Sequence, residues 1–284
     1  MSQTLEQLAR QQNTLNTIST IVRTMKTLSA INAVPYEQAA TAMEGYQAVV
    51  EQGFASFVFA SHDLQLLQGC AKQKLLIVFG SDHGMCGGYN EQLAQLVAGH
   101  WQQQQMPLAL LCIGAQLDNA LREHNLVPDR LLMPPASADG ITRQAAEIVS
   151  TIEPLAGVSL IELDIDLVYT ERCAHGARRP VVLQLLPLSA HLLQRPARWP
   201  GRSLPGFNLE AGRLLAALVR NHVFATVYRA QAEAMVTENA ARLALMQQAE
   251  QSVQERLFEL NQRINDQRQD VITNELMDVI LGHL

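Results

Sequence analysis

Hydrophobic positions along the 284-residue chain change their period twice. From residue 3 to about 59 they recur at helical intervals. Leu8, Leu15, Ile18, Val22 and Met25 follow the 7, 3, 4, 3 rhythm of a coiled-coil seam, with Gln11 interrupting it. At roughly 1.5 Å per residue this helix is about 80 Å long, more than a compact domain is wide. Pro35 is expected to kink it, because proline removes a backbone donor and clashes with the preceding turn. Gly45 and Gly53 weaken it further.

Residues 72 to about 190 have short apolar runs instead. Leu75–Phe79 and Leu108–Ile113 read as buried parallel strands, closed by Gly80 and Gly114. Asn90–Gln105, Gln116–His124 and Ile141–Ile152 read as helices, residues 126–140 as a loop, and Asp166–Glu171 and Val181–Leu186 as further strands. This alternation predicts an α/β layer with a mainly parallel sheet. Arg195–Gly206, rich in proline and glycine, reads as a connector.

From residue 207 to 284 the helical period returns, with no proline, over roughly 110 Å. Leu257, Leu260, Ile264 and Val271 keep a heptad-like seam with Gln267 interrupting it; Ile272, Leu276, Val279 and His283 then shift the stripe. A lone helix of that length cannot bury its own apolar stripe. The two terminal helices are therefore expected to pair antiparallel. The predicted fold is α/β: a long antiparallel coiled coil of the N- and C-terminal helices plus a small Rossmann-like domain. The predicted divisions are an N-terminal helix over 1–71, an α/β foot with its connector over 72–206, and a C-terminal helix over 207–284.

Composition sharpens this. Hydrophobic residues make up 48%, enough for a core, and aromatics only 5%. The net charge of −6 excludes a globally basic nucleic-acid binder. No signal peptide and no membrane-spanning stretch is visible, so a soluble, cytoplasmic protein is expected. Cys70, Cys86, Cys112 and Cys173 lie far apart, with no CxxC pair to support zinc or a disulfide framework.

The candidate chemistry sits in one loop, Ser81-Asp82-His83-Gly84-Met85-Cys86-Gly87-Gly88-Tyr89-Asn90, between a strand and a helix. Ligands bind there in open α/β sheets. One reading is a phosphate cradle, or a Cys86 nucleophile with His83 as its base. The other is a tight structural turn, with glycines at positive φ and Asn90 as a helix cap. Neither dinucleotide nor P-loop spacing is present. Asp63, Asp82, Asp164 and Asp166 lack metal-ligand spacing, and His62, His100, His124 and His191 have no helical partner.

Four segments resemble the gamma subunit of rotary F-type ATP synthases. Ile21–Ala30 (IVRTMKTLSA) is similar to that family's I-T-[KR]-A-M-x-M-V-A-A, and residues 81–90 to S-D-R-G-L-C-G-G-[LY]-N. Thr237–Met246 (TENAARLALM) is similar to S-E-x-x-A-R-M-x-A-M, and Asn265–Leu276 to N-x-x-R-Q-x-x-I-T-x-E-L, with Gly282 at the near-terminal glycine. Val22, Thr24, Thr27, His83 and Pro35 depart from the pattern, pointing to a divergent branch such as the sodium-type lineage.

The resemblance implies a central shaft with no catalytic site and no cofactor of its own, serving ATP synthesis and ion transport. Its implied partners are three alpha and three beta subunits, an epsilon subunit and the c-subunit ring; nucleic acid is not among them. Membrane contact is implied only through partners, on the cytoplasmic face of a bacterial inner membrane. By family position Met25 and Arg242 serve the lower shaft, and Arg268, Gln269 and Thr273 match upper-shaft residues that bond a catch loop on beta. The alternatives left by the residues alone are a coiled-coil scaffold or sensor with an α/β head, and a stand-alone hydrolase using Cys86.

Overall fold

The structure is a computed structural model describing residues 5–61, 73–102, 108–157, 160–173, 177–194, 199 and 201–281. The end of the expected helix at 103–105, connector residues 195–198 and 200, Cys70, His62, Asp63, His283 and Gly282 lie outside the described residues.

The element order is α1 (Leu5–Ala60), β1 (Gln73–Phe79), α2 (Tyr89–Gln102), β2 (Leu108–Ile113), α3 (Ala115–Glu123), β3 (Arg130–Leu132), α4 (Ile141–Ala156), β4 (Leu163–Arg172), β5 (Arg178–Leu186) and α5 (Ala211–Leu281). The chain forms two compact units. One joins Met1–Ile31 to Arg242–Leu284, and the other is Asn32–Ala241.

The expected kink at Pro35 does not interrupt α1, which stays helical over 56 residues. Pro35 lies on an exposed face, and Ile31, whose carbonyl loses its donor, is also exposed. Water can hydrate that carbonyl, which lowers the cost of the proline.

In the first unit the two helices run antiparallel. Gln12 Nε2 donates to Asn261 Oδ1 at 2.6 Å, while further along α1 Arg23 and Lys26 pair with Glu250. Leu8, Leu260 and Ile264 form the apolar cluster of this coil, with Leu5 and Leu15 against it. The covered positions of α1 follow Leu8, Gln12, Leu15, Ser19, Val22, Lys26 and Ser29 at strict four–three spacing. The expected seam is corrected at two positions: Gln11 and Ile18 are exposed, and Gln12 and Ser19 are covered instead. Met25 is half-buried beside Lys26.

Glu250 is the polar hinge-pin of this seam. Lys26 Nζ lies 2.6 Å and Arg23 Nε 3.0 Å from its two carboxylate oxygens. The hydrogen bond from Lys26, then that from Arg23, holds its carboxyl below the ordinary glutamate range. A depressed acid stabilises the fold above its ordinary pKa and loses that stabilisation as pH falls through the folded value. Thermal melts from about pH 6 to about pH 3 should therefore show a fall in stability that Glu250→Gln flattens. An unchanged pH profile in that variant would remove the assignment.

The second unit is built on a five-stranded sheet of order β3-β2-β1-β4-β5. β1 pairs parallel with β2 and β4, β2 pairs parallel with β3, and β5 returns antiparallel to β4. The two faces of the sheet are read off alternate residues. Leu75, Ile77 and Phe79 face a core shared with α4, with Phe54, Phe57 and Val58 of α1 and with Val219, Val223 and Val227 of α5. Leu76 and Val78 face the opposite layer, made by α2 and α3. β1 and β2 are covered on both faces, which is why they read as unbroken apolar runs.

β3 falls inside the expected loop at 126–140. It is a three-residue edge strand, and two of its residues are exposed, so it carries no alternation. An ion-pair network ties the layers. Arg172 forks onto Glu233 of α5 at 2.8 and 3.1 Å and also reaches Glu37 of α1. Charge-assisted bidentate pairs of this kind fix geometry as well as energy.

Candidate functional site

The 81–90 loop leaves β1 and enters α2. Its shape is set by Asn90, which sits inside α2 rather than capping it. The Asn90 side chain accepts from the Ser81 backbone N–H at 3.0 Å and donates to Ser81 Oγ at 2.8 Å. This closes the loop on itself. Gly87 takes φ +65°, as a turn of this kind requires, and Met85 takes φ +61° without being glycine.

The thiol of Cys86 is buried, 5% exposed, and lies 3.5 Å from Ser81 Oγ and 3.7 Å from Asn90 Nδ2. The part of His83 that meets it is the backbone carbonyl, at 3.8 Å. The His83 side chain is 84% exposed beside Asp82. A nucleophile needs an open approach and an imidazole within hydrogen-bond reach. These contacts support the structural-turn reading of the loop.

The loop instead anchors α5. The hydroxyl of Tyr89, at its end, donates to the carbonyl of Ala234 at 3.1 Å and lies 3.4 Å from Thr237 Oγ1. Burial pushes the Tyr89 phenol well above its ordinary pKa, so it remains a donor. Thr237 Oγ1 lies 3.0 Å from the carbonyl of Thr170 on β4, and Arg178 donates to the Thr237 carbonyl at 3.3 Å. Two of the motif segments, 81–90 and 237–246, thus meet at one buried junction. Sequence spacing alone gave no sign of that meeting, because it joins residues about 150 positions apart.

Asp164 and Asp166 are occupied by a lysine. Lys74 Nζ lies 2.7 Å from Asp166 and 3.4 Å from Asp164, and His100 Nε2 lies 2.8 Å from Asp166. Burial pulls the Lys74 ammonium down, and the hydrogen bond and charge of Asp166 more than offset this, leaving it raised. Among the described residues no group of three or more His, Cys, Asp or Glu is arranged to hold a metal.

The five candidate contact residues fall into two settings. Arg242 is buried and Met25 half-buried in the coil. Arg268, Gln269 and Thr273 lie where α5 has lost its cover: from Arg268 to Leu281 every residue is exposed. The Thr273 hydroxyl donates back to the Gln269 carbonyl at 2.8 Å, leaving its lone pairs outward. Beside these polar groups Ile272, Leu276, Val279, Ile280 and Leu281 are all more than half exposed. On α1, Ile18, Ile21, Leu28 and Ile31 form a second exposed apolar stripe. No helix among the described residues is long and apolar enough to cross a membrane.

The chain thus combines a paired-helix coil with bare apolar flanks and a domain built on a mainly parallel sheet. The family model described as ATP synthase matches residues 4–283, and the chain belongs to that family, on its gamma branch of central stalks. The ATP synthase gamma chain of Polynucleobacter necessarius is 26% identical over 256 residues, covering 88% of this chain and 85% of its own. The Euglena gracilis mitochondrial ATP synthase in rotational state 3 contains a chain of like fold. It has TM-score 0.68, 15% identity and coverage of 98% and 93%. The central stalk and c-ring structure from Tetrahymena thermophila contains another, with TM-score 0.60, 18% identity and coverage of 81% and 99%.

Proposed function

We propose that this central stalk works as a rotating shaft inside a ring of three alpha and three beta subunits, with epsilon and the c-subunit ring at its foot. The chain supplies torque transmission and no catalytic site of its own. ATP chemistry belongs to alpha and beta, and membrane attachment, at the cytoplasmic face of a bacterial inner membrane, comes through the partners. In this reading Met25 and Arg242 serve the lower bearing, and Arg268, Gln269 and Thr273 the upper catch.

The observation that carries the reading is the apolar surface left bare on α1 from Ile18 to Ile31 and on α5 from Val271 to Leu281. Water-facing helices do not keep two such stripes unless something covers them. A sleeve of partner subunits covers a narrow rod on all sides, as the α5 tip requires. The same surface weighs against a stand-alone hydrolase, and the buried Cys86 thiol gives that reading no support.

Co-expression with alpha and beta subunits, followed by intact-complex mass measurement, tests it. A complex with one copy of this chain to three alpha and three beta is expected. A stable homodimer that ignores alpha and beta would overturn the proposal.

A further inference from the structure

We propose that a cleft where α1, β4 and α5 meet in the second unit binds a free basic α-amino acid of the lysine or arginine type. The cleft encloses about 310 Å³, room for one small molecule at the lower end of ligand-site sizes, roughly 300–1,000 Å³. Glu44 of α1 lines it, with Arg229 and Glu233 of α5 and Tyr169, Glu171 and Arg172 at the end of β4. All of them lie within Asn32–Ala241.

Internal pairing accounts for some of these groups and leaves three over. Arg172 forks onto Glu233 at 2.8 and 3.1 Å, and Arg179 lies 2.7 Å from Glu171. Glu44 and Arg229 have no ion pair among the described residues. Both are exposed, and hydrated charges by themselves require no ligand. Tyr169 is different. It is 5% exposed, and among the described residues its hydroxyl has no hydrogen-bond partner. Buried hydroxyls are normally paired, so this one is open to a group that enters the cleft. Burial pushes the phenol above its ordinary pKa against the pull of the Arg229 charge, so it stays a donor.

The three groups together select the ligand. Arg229 Nη1 donates to Gln47 Oε1 at 3.1 Å, so its guanidinium reaches α1 one turn from Glu44. Residues three apart on a helix have Cβ atoms about 5–6 Å apart. A positive and a negative group thus stand close together at the cleft without meeting. A molecule that joins them carries a carboxylate and an ammonium on one carbon, as an α-amino acid does. Its carboxylate takes the guanidinium fork and the Tyr169 hydroxyl, and its ammonium donates to Glu44. The lining as a whole has two arginines and three glutamates, 2 − 3 = −1. A zwitterion leaves that charge standing, and a second cation on the ligand side chain balances it. Glu171 and Glu233 can receive it, because a carboxylate paired with one arginine keeps further lone pairs. A polyamine would leave Arg229 and Tyr169 unanswered, and a simple anion would leave Glu44.

Equilibrium dialysis of the full chain against labelled L-lysine tests this, with cadaverine and L-norleucine as competitors. Cadaverine lacks the carboxylate and norleucine the side-chain amine. Lysine should occupy one site per chain, and each analogue should compete about tenfold or more weakly than unlabelled lysine. Glu44→Gln and Arg229→Gln should each lower lysine affinity by about tenfold, and Tyr169→Phe by about threefold to tenfold. Thermal melts check that each variant folds, while the analogue series needs only the wild-type chain.

Absence of lysine and arginine binding would overturn the proposal. So would cadaverine or norleucine competing as well as lysine, or unchanged affinity in folded Glu44→Gln and Arg229→Gln. None of these outcomes bears on the shaft reading, which co-expression with alpha and beta decides.

Discussion

Removing the chain from Arg268 onward is expected to leave its own fold nearly as stable as before, while lowering ATP turnover of the assembled complex by about tenfold or more. The two halves of this expectation come from one observation. Every residue from Arg268 to Leu281 is exposed, so the segment contributes little covered apolar surface to the chain itself. The last covered positions of α5 are Leu260, Ile264 and half-buried Gln267. A cut that also removed Leu260 and Ile264 would dismantle the Leu8 cluster, at about 2–5 kcal/mol per side chain lost.

On the proposed catch reading, the shallow cut removes partner surface. Arg268 and Gln269 are exposed donors beside bare Ile272 and Leu276, and arginine next to apolar anchors is the composition of an interface hot spot. Arg268→Ala with Gln269→Ala should give a smaller loss in the same direction. Arg178→Ala, which removes only a part-buried bond to the Thr237 carbonyl, should change turnover less than that pair. Thermal melts of the isolated chain and ATPase rates of the complex, taken together, decide the matter. Unchanged turnover without the tip would end the catch assignment.

The long helices and the two central strands were legible because each obeys one period over many residues. Leu75–Phe79 and Leu108–Ile113 are covered on both faces, and continuous burial writes a continuous apolar run. The seam was less legible. A heptad reading looks for apolar residues, and Ile18 satisfies it, yet the structure covers Ser19, Gln12 and Lys26 and leaves Ile18 outside. The helix carries two stripes, one for its own partner helix and one bare, and hydrophobicity alone does not tell them apart. β3 was missed because three residues on an edge are held by neighbours, not by their own pattern. The role of the 81–90 loop was visible only as alternatives. Local spacing admits both a cradle and a turn, and the Tyr89–Ala234 bond that favours the turn spans 145 residues.

Gly114→Ala is expected to destabilise the α/β unit by about 2–6 kcal/mol, summing backbone strain of about 1–3 and overpacking of about 1–3. Gly114 closes β2 with φ +110°, a conformation that costs any residue with a Cβ. A Cβ built there would lie 2.5 Å from the Ser81 carbonyl oxygen and 2.7 Å from its carbon. These are backbone atoms, and the surroundings hold them. The Ser81 carbonyl accepts from Gln116 N–H at 3.0 Å, and the Ser81 N–H donates to Asn90. Gly114 itself donates to the Leu132 carbonyl at 2.9 Å, so it cannot retreat without breaking β3 from the sheet edge. Relief must come from moving the 81–90 loop, and that loop carries Tyr89, the anchor of α5. The variant should therefore lose assembly with alpha and beta along with stability. Gly84→Ala, in the same loop with open space around its Cβ position, should stay within about 0.5 kcal/mol of wild type. Urea unfolding of both variants makes the comparison. If Gly114→Ala proved as harmless as Gly84→Ala, the loop would not be held by the β2 exit, and its rigidity would need another source.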